Sequence, residues 1–163
     1  TVTGVQTCAL PILPDARPIL LVEDSSSDVE LTLAALEMHG LASCVAVARD
    51  VDAALDYLHR HAGQPGQPSL LPAALLVDMK LPRVGGLQLL PTLKADPRFR
   101  LIPVIMLTSS REESDVRRSY ELGATAYVVK PVDFAEFAEA LRRLVLFWCE
   151  LNEAPPGTWP RPV

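Results

Sequence analysis

The chain has 163 residues, 15 basic and 20 acidic, for a net charge of −5, and 49% of it is hydrophobic. That length suits one domain. No apolar run approaches the ~20 residues of a membrane span, which argues against a membrane partner. No Lys/Arg block is present, which argues against a nucleic-acid partner. Cys8, Cys44 and Cys149 lie far apart with no C-x-x-C pair, so a disulfide framework is excluded and a cytoplasmic location is expected.

The opening, Val2 to Ile12, reads VTGVQTCALPI. It has neither the basic start nor the long apolar stretch of a secretory signal. It matches the conceptual translation of a common sequencing-adapter oligonucleotide, fused in frame to a truncated gene. Residues 1–12 are therefore set apart from the functional reading, and the natural start is expected to be missing. The remainder is expected to be one domain over 13–151 and a proline-rich tail over 152–163.

Pro18 to Val22 is apolar throughout and runs into Glu23-Asp24. Such a run suits a strand covered on both faces. Three serines follow as helix caps, and Val29, Leu33 and Leu36 recur at helical spacing until Gly40. Ser43 to Ala48 is a second strand. Asp50 caps a helix carrying Val51, Ala54, Leu55 and Leu58. The Gly/Pro-rich stretch 62–72 is a loop. Ala74 to Val77 is a third strand, ending at Asp78. Gly86 to Lys94 reads as a helix that Pro91 should shorten or kink. Pro103 to Leu107 is a fourth strand, ending at Thr108, and Glu112 to Leu122 is a helix stopped by Gly123. Ala126 to Val129 is a fifth strand, ending at Lys130-Pro131. Asp133 caps a last helix with Phe134, Phe137, Leu141, Leu144 and Trp148 on one stripe, leaving Leu146 and Phe147 facing elsewhere.

Five strands alternating with five helices predict an α/β fold with a parallel sheet covered on both faces. Sites in such sheets lie at the carboxyl ends of the strands. Those ends deliver Glu23 and Asp24, Asp78, Thr108 and Lys130. Three carboxylates in one crevice call for a hard divalent cation, and magnesium is the expected one. Asp78 is placed to attack phosphorus as a carboxylate nucleophile. Thr108 and Lys130 would stabilise charge on the transferring oxygens.

This constellation resembles the receiver domain of two-component response regulators, the CheY-like family of the bacterial chemotaxis regulator, over about Pro18 to Leu151. The resemblance implies a doubly wound, flavodoxin-like sheet in strand order 2-1-3-4-5. It implies that Asp78 is the phosphoacceptor, and that Glu23, Asp24, Asp78 and the backbone carbonyl of Lys80 hold Mg2+. Thr108 and Lys130 would contact the phosphoryl group. Tyr127 takes the place of the aromatic switch residue, and the Lys130–Pro131 bond is expected to be cis. The phrases Val22-Glu-Asp-Ser25, Leu107-Thr-Ser-Ser110, Ser119 to Ala124, Phe147 to Asn152 and Pro155-Pro156 are similar to single-domain regulators that partner bacterial phytochrome histidine kinases.

The implied function is a phosphorelay switch rather than an enzyme. A sensor histidine kinase donates its phosphoryl group to Asp78, and a protein-interaction surface responds. With no output domain evident in the sequence, the response is expected to be a protein contact or a change in a homodimer formed through helix 4, strand 5, helix 5 and the C-terminal segment. A phosphatase of the haloacid-dehalogenase type would need a second Asp two residues beyond its nucleophile, where Lys80 stands. A nucleotide-binding module would need a Gly-rich turn after strand one, where Glu23-Asp-Ser-Ser-Ser27 stands.

Overall fold

The computed structural model describes residues 17–64, 69–81, 85–156 and 158. The segment 1–12 and, in the tail, Trp159 and Pro160 lie outside them. Strands β1 (Ile19–Val22), β2 (Val45–Ala48), β3 (Ala74–Val77), β4 (Val104–Thr108) and β5 (Ala126–Val129) form one sheet in the order β2-β1-β3-β4-β5. All its pairings are parallel. Helices α1 (Ser26–Glu37), α2 (Val51–His61), α3 (Leu89–Ala95), α4 (Glu113–Glu121) and α5 (Phe134–Leu146) alternate with the strands. This is the doubly wound, flavodoxin-like order that the sequence resemblance implied.

The central strands explain their own composition. Every residue of β1, β3 and β4 is buried, because helices cover both faces and no position is left for a polar side chain. Successive residues alternate between two half-cores. Leu20, Val22, Leu75, Val77, Val104 and Met106 face α2 and α3, with Leu58, Leu90 and Phe99. Ile19, Leu21, Ala74, Leu76, Ile105 and Leu107 face α1 and α5, with Leu36, Phe137 and Leu141. Side-chain caps start three helices: Ser25 accepts from Asp28 N–H, Asp50 from Ala53 N–H and Asp133 from Glu136 N–H.

Three local expectations need correction. The second strand starts at Val45, because Ala42–Cys44 closes a 3-10 turn first. The third helix is split: a 3-10 turn, Gly86–Gln88, precedes α3, so that Pro91 falls in the first turn of α3. The donors of a first turn have no intrahelical partner, so the missing N–H costs nothing there. In α5 the buried stripe is Phe137, Ala138, Leu141 and Val145. Phe134 is exposed, Leu144 and Trp148 are half-buried, and Leu146 packs against the core that it was expected to leave. A π-helical turn, Phe147–Leu151, follows α5 and ends the helical segment.

The link from α3 to the site is Gly86, which is buried. A Cβ at this position would overlap the backbone carbonyl of Asp78. The backbone approaches this closely because Gly86 N–H donates to Met79 O at 3.0 Å, pulling the start of the helical segment under the end of β3. Gly86→Ala should therefore destabilise the protein by about 1–3 kcal/mol, since the neighbour it strikes is main chain. Urea denaturation measures this, and an unchanged midpoint would show that the two segments can part freely.

Candidate functional site

The site residues sit one step beyond the strands, and each is fixed by the last rung of a parallel ladder. Glu23 N–H donates to Ala48 O at 3.0 Å, Asp78 N–H to Val22 O at 3.1 Å, and Lys130 N–H to Thr108 O at 2.8 Å. Their side chains emerge together at the carboxyl edge of the sheet. They open onto a cavity of about 480 Å³ lined by Glu23, Asp24, Ser25, Asp28, Asp78, Lys80, Ser109 and Lys130.

Asp78 is held at both oxygens. Oδ1 accepts the backbone N–H of Lys80 at 2.8 Å, and Oδ2 accepts from Lys130 Nζ at 3.2 Å. Lys130 Nζ also lies 3.4 Å from Glu23 Oε2 and 3.7 Å from Asp28 Oδ2. One ammonium thus faces three carboxylates, whose ligand oxygens lie within 4.8 Å of one another. Burial pushes the Glu23 carboxyl up to about 7, and its hydrogen bond with Asp78 adds to the rise. Burial also acts against ionisation of Asp78, but the hydrogen bonds from Glu23 and from Lys80 N–H, with the Lys130 charge, outweigh it and hold Asp78 low. Burial likewise opposes the Lys130 charge, but Asp78, Glu23 and Asp28 together outweigh it, so Lys130 is held above its ordinary value. Of the pair Glu23–Asp78, Glu23 is therefore the one that takes up a proton more readily. Such an oxygen-only donor set suits a hard divalent cation.

The structure brings Glu23, Asp78 and Lys130 into direct contact. Asp24 is exposed and lines the cavity, while the tight carboxylate group is Glu23, Asp28 and Asp78. Lys80 lines the cavity and contributes its N–H to Asp78. Thr108 is buried at the end of β4, and its Oγ1 accepts Ser110 N–H at 3.1 Å. Its neighbour Ser109, rather than Thr108, lines the cavity. Tyr127 is half-buried, its hydroxyl donating to Ser110 O at 3.1 Å and lying 3.4 Å from Met79 Sδ. Among the described residues there is no cis peptide bond, so the Lys130–Pro131 bond is trans, against expectation. Trans is the default for an X–Pro bond by about 0.5–1 kcal/mol, and Lys130 reaches both carboxylates from it.

Asp28 was missed in the sequence. Its signal was the spacing Ser25-x-x-Asp28, a capping-box pattern that places the acid in the first turn of α1, beside the strand ends. Read as a cap alone, it points to no chemistry.

A family model for the response regulator receiver domain matches residues 19–142. The chain belongs to the response regulator receiver family. Among curated proteins it is 37% identical to the probable methanogenesis regulatory protein FilR2 of Methanothrix harundinacea (strain 6Ac), over 84% of this chain and 86% of that protein. It is 32% identical to response regulator Rcp1 of Synechocystis sp. (strain ATCC 27184 / PCC 6803 / Kazusa), over 85% and 93%. Among solved structures, the bacteriophytochrome response regulator AtBRR is 54% identical, with a TM-score of 0.63, and the match covers 86% of this receiver and all of that chain (100%). A Mn2+-bound form of Rcp1 is 31% identical, with a TM-score of 0.68, over 85% and 99%. Its similar proteins thus include single-domain phytochrome response regulators, and no helix among the described residues is long and apolar enough to cross a membrane.

The raised Glu23 makes the stability of this receiver depend on pH. A carboxyl whose folded value lies near 7, above its ordinary 4.5, contributes stability that is complete below the unfolded value and is lost as pH rises through the folded one. Asp78, held low, stays ionised across that window and adds no slope. In EDTA the urea midpoint should fall from about pH 5 to about pH 8, and Glu23→Gln should flatten that fall. Parallel slopes in the two proteins would place the ionisation elsewhere.

Proposed function

We propose that this chain is a phosphoacceptor switch, in which Asp78 takes a phosphoryl group from a phosphohistidine of a sensor kinase. The observation that carries this reading is the setting of Asp78: on the lining of an open cavity, with Lys80 N–H on one oxygen and Lys130 on the other. A carboxylate oxygen of Asp78 forms the new bond to phosphorus as the phosphorus–nitrogen bond breaks, and the imidazole leaves. Lys130 supplies positive charge beside the transferring oxygens. Glu23, Asp24, Asp78 and the backbone carbonyl of Lys80 would hold Mg2+, which when bound neutralises charge on the phosphoryl oxygens. Lys80 stands where a phosphatase of the haloacid-dehalogenase type needs its general acid/base, which argues against turnover on phosphate esters.

The response runs through Thr108. Turning its hydroxyl toward a phosphoryl oxygen gives up the Ser110 N–H, and Tyr127, bound to the carbonyl of the same residue, follows. Helix α4 buries only Ser119, so this side of the fold is cheap to displace. A local charge change thus biases a surface made of α4, β5 and α5. The similarity to AtBRR supports a bacteriophytochrome as the kinase; a cytoplasmic location, with neither nucleic acid nor membrane as a partner, is proposed with it.

The same face supports a homodimer. Phe147 and Leu151 are 46% and 76% exposed at the end of α5, Tyr120 on α4 is 50% exposed, and the described part of the tail leaves all three uncovered. Exposed large apolar groups of this kind often mark interfaces.

Two measurements test these readings. With Mg2+ and acetyl phosphate, intact mass should show one added phosphoryl group on the wild type and none on Asp78→Asn, whose melt should stay cooperative. Labelling of the Asn variant at the wild-type level would reassign the acceptor. Sedimentation of the full chain should show a dimer that Phe147→Ser weakens by about tenfold or more, whereas a wild type that sediments as a monomer in both phosphorylation states would dispose of the dimer.

A further inference from the structure

We propose that Asp28 is the alternate seat of the Lys130 ammonium, receiving it when a divalent cation settles on Glu23 and Asp78, so that Asp28 sets how tightly the site holds its cation. The inference rests on the reading of Glu23 and Asp78 as cation ligands.

The Lys130 ammonium lies 3.2 Å from Asp78, 3.4 Å from Glu23 and 3.7 Å from Asp28. A divalent cation drawn to the oxygens of Glu23 and Asp78 meets that ammonium in its place. Two positive charges this close repel, and their mutual repulsion is strong in a partly buried crevice. Lys130 must yield, but its main chain cannot move, because its N–H is the last rung between β4 and β5. The four-carbon stem is what swings. It needs an acceptor within reach, and of the three grouped carboxylates Asp28 is the one left to it.

Asp28 fits that part on three counts. Its side chain is 46% exposed, against 3% for Glu23 and 11% for Asp78, so an ammonium paired with it keeps much of its hydration. Its charge is favoured where it stands, in the first turn of α1. Its carboxylate is also released from capping. In a capping box the acid at this position accepts the N–H of the cap residue. Here Ser25 Oγ accepts Asp28 N–H at 3.2 Å, but Ser25 N–H donates to Glu23 Oε1 at 3.1 Å. The backbone of Asp28 is thus pinned by the cap while its carboxylate faces the cavity. Asp28 is on this argument a positioning residue, acting on the cation through Lys130.

The experiment uses the full chain and Mn2+ as the probe, with free Mn2+ read from its paramagnetic resonance signal. Wild type, Asp28→Asn, Lys130→Met and the double variant are compared, and thermal melts in EDTA show that each is folded. Lys130→Gln replaces the Met variant should that one fail to melt cooperatively. In the wild-type background Asp28→Asn should weaken Mn2+ binding about 3- to 10-fold, and Lys130→Met should tighten it. In the Lys130→Met background the Asp28 substitution should change binding by less than about twofold. Equal losses in both backgrounds would mean that Asp28 acts on the cation by its own charge, and no loss in the wild-type background would mean that it does nothing; either overturns the proposal. A wild type that binds no Mn2+ overturns the cation reading of Glu23 and Asp78, and this inference with it.

Discussion

The receiver depends on the register of its parallel ladder. Side chains that carry charge could not sit within β1, β3 or β4, where both faces are buried. One residue later the helices no longer cover the sheet edge, and a carboxylate can be paired and partly hydrated. Backbone bonds from Glu23, Asp78 and Lys130 to the neighbouring strands fix where each main chain ends. A slip of one residue on β3 would turn Asp78 to the opposite face and bury it among Leu and Val side chains. The strand cores are therefore as much a part of the site as the groups that touch the cavity. Gly86 belongs with them, since it allows the start of the next helical segment to close under the same strand end.

The second constraint is charge. Several carboxylates in one partly buried crevice repel, and the fold meets that cost in three ways. Glu23 gives up its proton less readily than an ordinary carboxyl, one ammonium sits between the acids, and Lys80 N–H and Ser25 N–H each hold a carboxylate oxygen. None of these removes the excess of acid over base. The arrangement is stable enough to fold around, yet it keeps a standing attraction for a cation. Sites that hold such excess charge give up stability for function.

Much of this was legible in the sequence. Fully apolar strands followed at once by Glu-Asp, Asp, Thr and Lys could be placed from composition alone, because the central strands of a covered sheet tolerate nothing else. The caps at Ser25, Asp50 and Asp133 were equally plain, as local chemistry decides them. What failed depended on three-dimensional phase. The buried stripe of α5 passes through Val145 rather than Leu144, a rotation of one residue that apolar spacing cannot resolve when Leu144, Val145 and Leu146 are all apolar. Pro91 looked like a helix breaker until the 3-10 turn ahead of it moved the helix start. Asp28 was hidden by a second meaning: its spacing from Ser25 fits a cap, and only the backbone contact between Ser25 and Glu23 shows that its carboxylate is free of that role. The Lys130–Pro131 geometry rests on an energy difference too small for local sequence to settle.

Ser110 joins these parts. Its N–H is on the Thr108 hydroxyl, its carbonyl accepts from Tyr127, and its own hydroxyl donates to Asp115 Oδ2 at 2.6 Å in the first turn of α4. Three elements therefore converge on one loop residue, two positions past the end of β4. The same tyrosine hydroxyl lies beside Met79, the residue after Asp78. In the proposed switch a shift at Thr108 would reach beyond it, because the N–H it releases belongs to a peptide segment whose other groups bond to β5 and α4. The opposite side of the sheet is built differently. Helices α1 and α5 bury Val29, Ala35, Leu36, Phe137, Leu141 and Val145 against it, and moving them would break the core. With α1, α2, α3 and α5 anchored by packing and α4, which buries only Ser119, tied to the site by hydrogen bonds through Ser110, the proposed charge change at Asp78 would have one soft direction in which to be felt.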